Sequence, residues 1–389
     1  MSQLLIKNGT IYNSTEIMPF QADILVENGK ILKIEEQITE TKEMKVIDAL
    51  GLFVYPGLVE AHSHIGLDGY GIGFEGQDYN EMNDILTPHL NAIDGINPMD
   101  VTLKKAALGG VTCAATGPGS SNVLGGTFTA IKMTGNRVDR MVVKEKVAMK
   151  CAFGENPKRV YKDKNNYSRM STASKLREML NKAKEYQAKL VAAGEDIFKK
   201  PSYDAKLEAL LPVLNRDIPL KAHAHRSDDI FTAIRIAKEF DLRLTIEHCT
   251  EGHLISEELQ KDGYPVAVGP SFGHATKYEL RNKTFETPGI LAKAGLQVSI
   301  ITDSPVIPQH YLSLCAGLAV KSGMEPFAAL QAITINPAKH IGIEDRVGSL
   351  EVGKDADIVI TDGDIMDSMT SVLYTFIDGN EIDRTENYL

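Results

Sequence analysis

The chain has 389 residues, 43% hydrophobic and 24% charged, ordinary proportions for a globular protein able to bury a large core. Its length points to one large domain with an accessory, or to two domains. With 42 basic against 52 acidic residues the net charge is −10, which argues against a nucleic-acid partner but says nothing about which small-molecule substrate is bound.

Both ends read as short strands. Residues 3–55 contain LLIKNGTIYN, ADILVENGKILKIEE and KVIDALGLFV, with Asn8-Gly9 and Asn28-Gly29 as hairpin signals between apolar runs. MSQLLIKNGT lacks the basic and apolar regions of a signal peptide. Residues 346–389 resemble the first fifty in pattern, and neither end has enough strands to cover its own apolar face. The economical solution is one composite β-sandwich domain from 1–55 and 346–389, with 56–345 inserted between.

The middle alternates short buried-strand patterns, at 58–61, 111–115, 147–153, 219–222, 243–247, 265–268 and 297–302, with amphipathic runs such as 171–193 and 227–240. Such alternation implies an α/β fold with a parallel sheet, and about 290 residues suit a TIM-like (β/α)8 barrel. A further strand is expected within 127–143. The uncharged run 106–131 holds six glycines and Pro118, so it is a poor membrane span. Within it, GPGSSNVLGG lacks the GK[ST] ending of a phosphate-binding loop. The cysteines Cys113, Cys151, Cys249 and Cys315 form no CxxC pair, which fits a reducing, cytoplasmic setting.

The histidines carry the chemistry. His62 and His64, in PGLVEAHSHIG, follow the first strand of the middle region two residues apart, a spacing that puts both on one face. His223 ends the strand IPLKAHAHR, with His225 two residues on; His248 ends LRLTIEHC; Asp303 ends LQVSIITDSP. In a barrel these strand ends share one rim, where active sites sit. A lone histidine there is an ordinary polar residue, but four strand ends delivering His, His, His and Asp predict a divalent-metal site.

PGLVEAHSH, HAH, IEH and TD, together with TINPAKHIGIEDRVGSLEVGKDADIVI near the C-terminal end, resemble the amidohydrolase superfamily of metal-dependent barrel hydrolases. GENPKRVY and ETPGILAKAG resemble its imidazolonepropionase-related branch. The resemblance implies His62, His64, His223 and His248 as metal ligands, and Asp303 as a ligand that also shuttles the proton. It implies a fourth-strand group as well, either a carbamylated lysine or a glutamate, for which VAMKCAFGENP offers Lys150 and Glu155. Gly154 would end the strand and put Glu155 on the rim, so Glu155 is the preferred ligand. His225 and His274 are candidate substrate contacts, Lys277 and Glu279 share the loop of His274, and Arg169 is a candidate carboxylate clamp. In this branch a histidine often follows the eighth-strand aspartate; here Ser304 stands there.

The expected reaction is hydrolysis of an amide or cyclic amide C–N bond by metal-activated water, with Asp303 as general base and then acid. Histidine-rich ligation favours one Zn²⁺, with Fe²⁺ or Mn²⁺ open. A deaminase of a nitrogen heterocycle and a non-catalytic binding barrel are the alternatives. A homo-oligomer without membrane attachment is expected.

Overall fold

The structure is a computed structural model that describes residues 3–385. The N-terminal end supplies β1 (Leu4–Ile11), β2 (Phe20–Glu27), β3 (Lys30–Glu35), β4 (Lys45–Asp48) and β5 (Phe53–Pro56). The middle supplies β6 (Leu58–Ser63), β7 (Val111–Thr116), β8 (Leu124–Lys132), β9 (Val142–Ala152), β10 (Leu220–Ala224), β11 (Leu244–His248), β12 (Val266–Val268) and β13 (Val298–Ile300). The C-terminal end supplies β14 (Ile358–Thr361), β15 (Val372–Ile377) and β16 (Asn380–Glu381).

Strands from both ends join in one sheet of order β16-β15-β14-β5-β1-β2-β3, with β4 also paired to β1. Ile6, Ile24, Val54, Ile358 and Phe376 share its buried core, so neither end covers its apolar face alone. Asn28 and Gly29, at φ 53° and 76°, form the two-residue turn between β2 and β3, where both central residues need positive φ. Asn8-Gly9 is not a hairpin: it lies inside β1 as a register shift, and the Asn8 N–H donates to Asp23 Oδ1 at 2.8 Å. An apolar run continues through that dipeptide, so pairing with β2 holds the strand together across it.

The eight middle strands run in chain order from β6 to β13 around a nearly closed barrel. Backbone contacts such as Val59 N–H to Ile333 O and His64 N–H to Ser304 O, at 2.9 and 2.7 Å, tie the first strand to the segments around the last. One strand departs from the expected parallel repeat: β8 is antiparallel to both β7 and β9. Only residues 117–123 separate β7 from β8, too few for the crossover a parallel pair requires. The chain therefore turns back as a hairpin through the glycine-rich segment.

Alternation along the strands sets what faces inward. Met149 and Cys151 pack outward against Leu176 and Leu180 of the helix Arg169–Ala193. Lys150 takes the opposite face and registers with Lys221, while His223 registers with Glu247. The barrel interior is thus lined near its rim by ionisable rather than aliphatic side chains. Barrel and terminal sheet are joined by an ion cluster around buried Lys132, whose Nζ lies 3.0 and 2.8 Å from carboxylate oxygens of buried Asp355 and Asp357 and 3.1 Å from one of the more exposed Asp378. No helix among the described residues is long and apolar enough to cross a membrane, and all four cysteines are buried free thiols.

Candidate metal centre

Four strand ends build the centre. His62 lies on β6 and His64 just beyond it, His223 lies on β10 with His225 beyond it, His248 closes β11, and Asp303 follows β13. His248 and Asp303 both have positive φ, 72° and 53°. For non-glycine residues that conformation costs of order 1–3 kcal/mol and collects at functional sites.

The side chains converge. His64 Nε2 and His62 Nε2 lie 3.3 and 3.6 Å from Asp303 Oδ1. Ligand-type atoms of His62, His248 and Asp303 all lie within 4.8 Å of one another, and so do those of His223, His225 and His248. The two groups share His248. Both ring nitrogens of His223, the Nε2 of His248 and Asp303 Oδ1 are buried without an aligned hydrogen bond. Leaving such groups unsatisfied is costly, and neutral imidazole nitrogens beside a carboxylate are the donor set a divalent cation takes. The residues therefore fit a metal ion.

The electrostatics agree. Burial holds His62, His223 and His225 well below the usual imidazole range and brings His248 down to about 4. All four are neutral, with lone pairs available, at physiological pH. Burial would raise the Asp303 carboxyl, but His248, His64 and His62 outweigh it and hold it below the usual range. Several ring orientations are fixed at Nδ1: His64 by Gly117 O at 2.7 Å, His248 by Gly269 O at 2.8 Å and His225 by Thr250 Oγ1 at 2.7 Å.

The two fourth-strand candidates lie in different surroundings. Lys150 is fully buried, and its Nζ lies 3.0 Å from His62 Nε2. Burial lowers its ammonium pKa to about 7, against the partly offsetting pull of Asp303 and Glu247. Glu155 lies past Gly154 at the start of the short helix Glu155–Val160. Its N–H donates to Glu279 Oε2 at 2.8 Å, and its carboxylate belongs to neither ligand group.

The other candidates separate as well. His225 is in the cluster. Arg169 is engaged by Asp229, to whose two carboxylate oxygens its Nε donates at 2.9 and 3.0 Å. His274 sits in an exposed loop, where its carbonyl accepts from Lys283 at 3.2 Å. Lys277 and Glu279 pair at 2.9 Å beside the cluster. Ser304 contributes its backbone carbonyl, which holds the His64 N–H. Above the centre opens a cavity of about 350 Å³ whose wall includes His64, Tyr79, Arg159, His223, Lys277 and Asp303. Tyr79 stacks on the His64 ring at 5.3 Å.

Sequence reasoning missed the layer beneath. Glu60, Lys221, Glu247 and His340 are buried. Glu60 accepts from the Thr302 N–H and hydroxyl at 2.8 and 2.6 Å, while burial raises its pKa to about 7. The available signal was strand parity: Glu60 and Lys221 stand two residues before His62 and His223, and so share their faces.

The sequence profile of the amidohydrolase family matches residues 53–382. The chain belongs to that family. A crystal structure of an amidohydrolase from Thermotoga maritima MSB8 superposes with a TM-score of 0.94 at 42% identity, covering 98% of this chain and 100% of that one. Amidohydrolase tasK of Hapsidospora irregularis is 29% identical over 92% of this chain, which spans only 39% of its length. A dihydroorotase of Elusimicrobium minutum is 25% identical, over 92% of this chain and 88% of its own.

Proposed function

We propose that the protein is a metal-dependent hydrolase that cleaves the C–N bond of a compact linear or cyclic amide. The observation that carries this reading is the convergence of buried imidazoles, several with unsatisfied ring nitrogens, on Asp303 at the floor of the cavity. His62, His64, His223, His248 and Asp303 would hold the ion, most simply zinc, and His225 stands beside them. A bound divalent cation supplies an acidified water and a polarised carbonyl. Asp303 receives the water proton at its carboxylate and returns it to the leaving nitrogen. Tyr79 and the barrel rim restrict solvent and orient the amide.

Lys150, rather than Glu155, is the fourth-strand group in this reading. Its place beside His62 suits a lysine carbamate, formed when the neutral amine adds to carbon dioxide and releases a proton. The two ligand groups, which share His248, would have room for two ions rather than the single one expected from sequence, and a carbamate on Lys150 would add an anionic oxygen donor beside His62. The same reading keeps the chain in the imidazolonepropionase-related branch, as a cytoplasmic homo-oligomer with a composite terminal β-sandwich of 1–55 and 346–389.

The test is metal analysis combined with a hydrolysis screen over lactams, hydantoins, imidazolones and dipeptides, with ammonia release monitored. Metal-dependent ring opening or amide cleavage that disappears in Asp303→Asn supports the reading. Ammonia release from a heterocycle without amide cleavage replaces it with deamination.

A further inference from the structure

Beneath the candidate metal centre lies a set of charged side chains with no solvent exposure. Glu247, on β11, has a fully buried carboxylate. Its Oε1 accepts from Thr245 Oγ1 at 2.7 Å and faces His340 Nε2 at 2.9 Å. Its Oε2 lies 2.8 Å from Lys221 Nζ and 3.1 Å from His62 Nδ1. Lys221 is in turn anchored by donating to Ala61 O at 3.0 Å, on the strand that carries His62. Oε1 is thus hydrogen-bonded from two sides, while Oε2 lies at ion-pair distance from Lys221 and faces the ring of a candidate ligand.

His62 differs from its neighbours in the partner it has at Nδ1. His64 and His248 face neutral backbone carbonyls there, and His225 a hydroxyl. His62 faces a carboxylate. A carboxylate at Nδ1 fixes the imidazole tautomer with its proton on Nδ1, leaves the Nε2 lone pair for the cation, and makes the ring a stronger donor. Lys221 has the balancing role: it supplies the positive charge that lets a carboxylate stay ionised in a site without water.

Resting on the metal-centre reading above, we propose that Glu247, clamped by Lys221, His340 and Thr245, is a positioning residue that acts through His62 and sets how tightly the centre holds its metal. Glu247 touches neither substrate nor the reacting atoms. Its influence passes along one contact, from Oε2 to Nδ1.

The experiment is a double-mutant cycle read by metal affinity, not by turnover. Zn²⁺ dissociation is measured by chelator competition for the full chain, Glu247→Gln, His62→Ala and the combined variant. Glu247→Gln should weaken Zn²⁺ binding about 10–100-fold in the full chain, the usual scale for outer partners of metal-bound histidine. In the His62→Ala background the same change should have an effect of less than about threefold, because the route is already cut. Equal losses in both backgrounds, or none in the full chain, would overturn the proposal. Glu247→Gln strands Lys221 as an unpaired buried cation, so the cycle is repeated with Lys221→Met added to every Glu247→Gln member. A reading without variants completes the test: in ¹⁵N-labelled, Cd²⁺-loaded protein, cadmium coupling should appear at His62 Nε2, with a proton on Nδ1. Coupling at Nδ1 refutes the proposal. If the unaltered chain binds no divalent ion, the metal-centre reading itself fails, an outcome distinct from intact binding that ignores Glu247.

Discussion

Replacing Lys150 by Met should stabilise the metal-free protein while destroying the centre. Lys150 is fully buried, and burial lowers its pKa from 10.5 to about 7. A displacement of that size corresponds to roughly 5 kcal/mol of discrimination against the ammonium inside the barrel. The sign follows from proton counting. Below pH 7 both the folded and the unfolded chain carry the proton, and the folded state bears the whole penalty. Between about 7 and 10.5 the unfolded chain keeps a proton that the folded chain has lost, so stability rises with pH across that window. Met fills similar volume and removes the titration. At pH 7, in chelator and carbonate-free buffer, Lys150→Met should therefore exceed the unaltered chain by about 4 kcal/mol. That margin should shrink towards zero by about pH 10.5. Urea unfolding at pH 7, 8.5 and 10 measures it. Parallel pH profiles for the two proteins, or a variant less stable at pH 7, would refute the assignment of Lys150 as a desolvated amine.

Asp303→Asn should lower turnover on any identified amide by about 10²–10⁴, the usual weight of a general base, and circular dichroism should show the fold retained. Lys150→Ala should reduce bound metal after dialysis, whereas Glu155→Gln should leave it nearly unchanged; elemental analysis decides between them. Lys132→Met should cost about 3–5 kcal/mol by leaving buried Asp357 without its cation, seen as a lowered urea midpoint with little change in metal affinity.

Much of the centre was legible because its residues stand where apolar runs stop. His62, His64, His223, His248 and Asp303 were each marked by a strand pattern giving way to small or polar residues, and the structure gathers them. The third barrel strand, β8, was harder to place for a physical reason. A hairpin strand inside an otherwise parallel barrel has no crossover helix to announce it, and β8 hides in a continuous uncharged segment. Arg169 shows a different limit: a planar guanidinium suits a substrate carboxylate or a protein one, and only the fold shows that its Nε donates to Asp229.

The fourth-strand question shows what decides such cases. Lys150 and Glu155 are five residues apart, so one unbroken strand would send them to opposite faces. Gly154, at φ 82°, ends that geometry and starts a helix at Glu155. Which face Lys150 takes then depends on Met149 and Cys151, whose apolar side chains are drawn out to the helix layer. Small residues at Ala148 and Ala152 leave room on the inner face for a long lysine. Parity, set by where the apolar neighbours must go, places the amine beside His62. The same parity places Lys221 beneath His223 and Glu60 beneath His62. Glu247 and His248 are adjacent and would face apart on a regular strand, yet both reach the interior because His248 leaves the extended conformation at φ 72°. A barrel interior usually filled by branched aliphatics has here accepted buried charges. The pairing of Glu247 with Lys221 and the bonds of Glu60 to Thr302 partly offset that desolvation, and Glu247 and Glu60 are the carboxylates that touch His62.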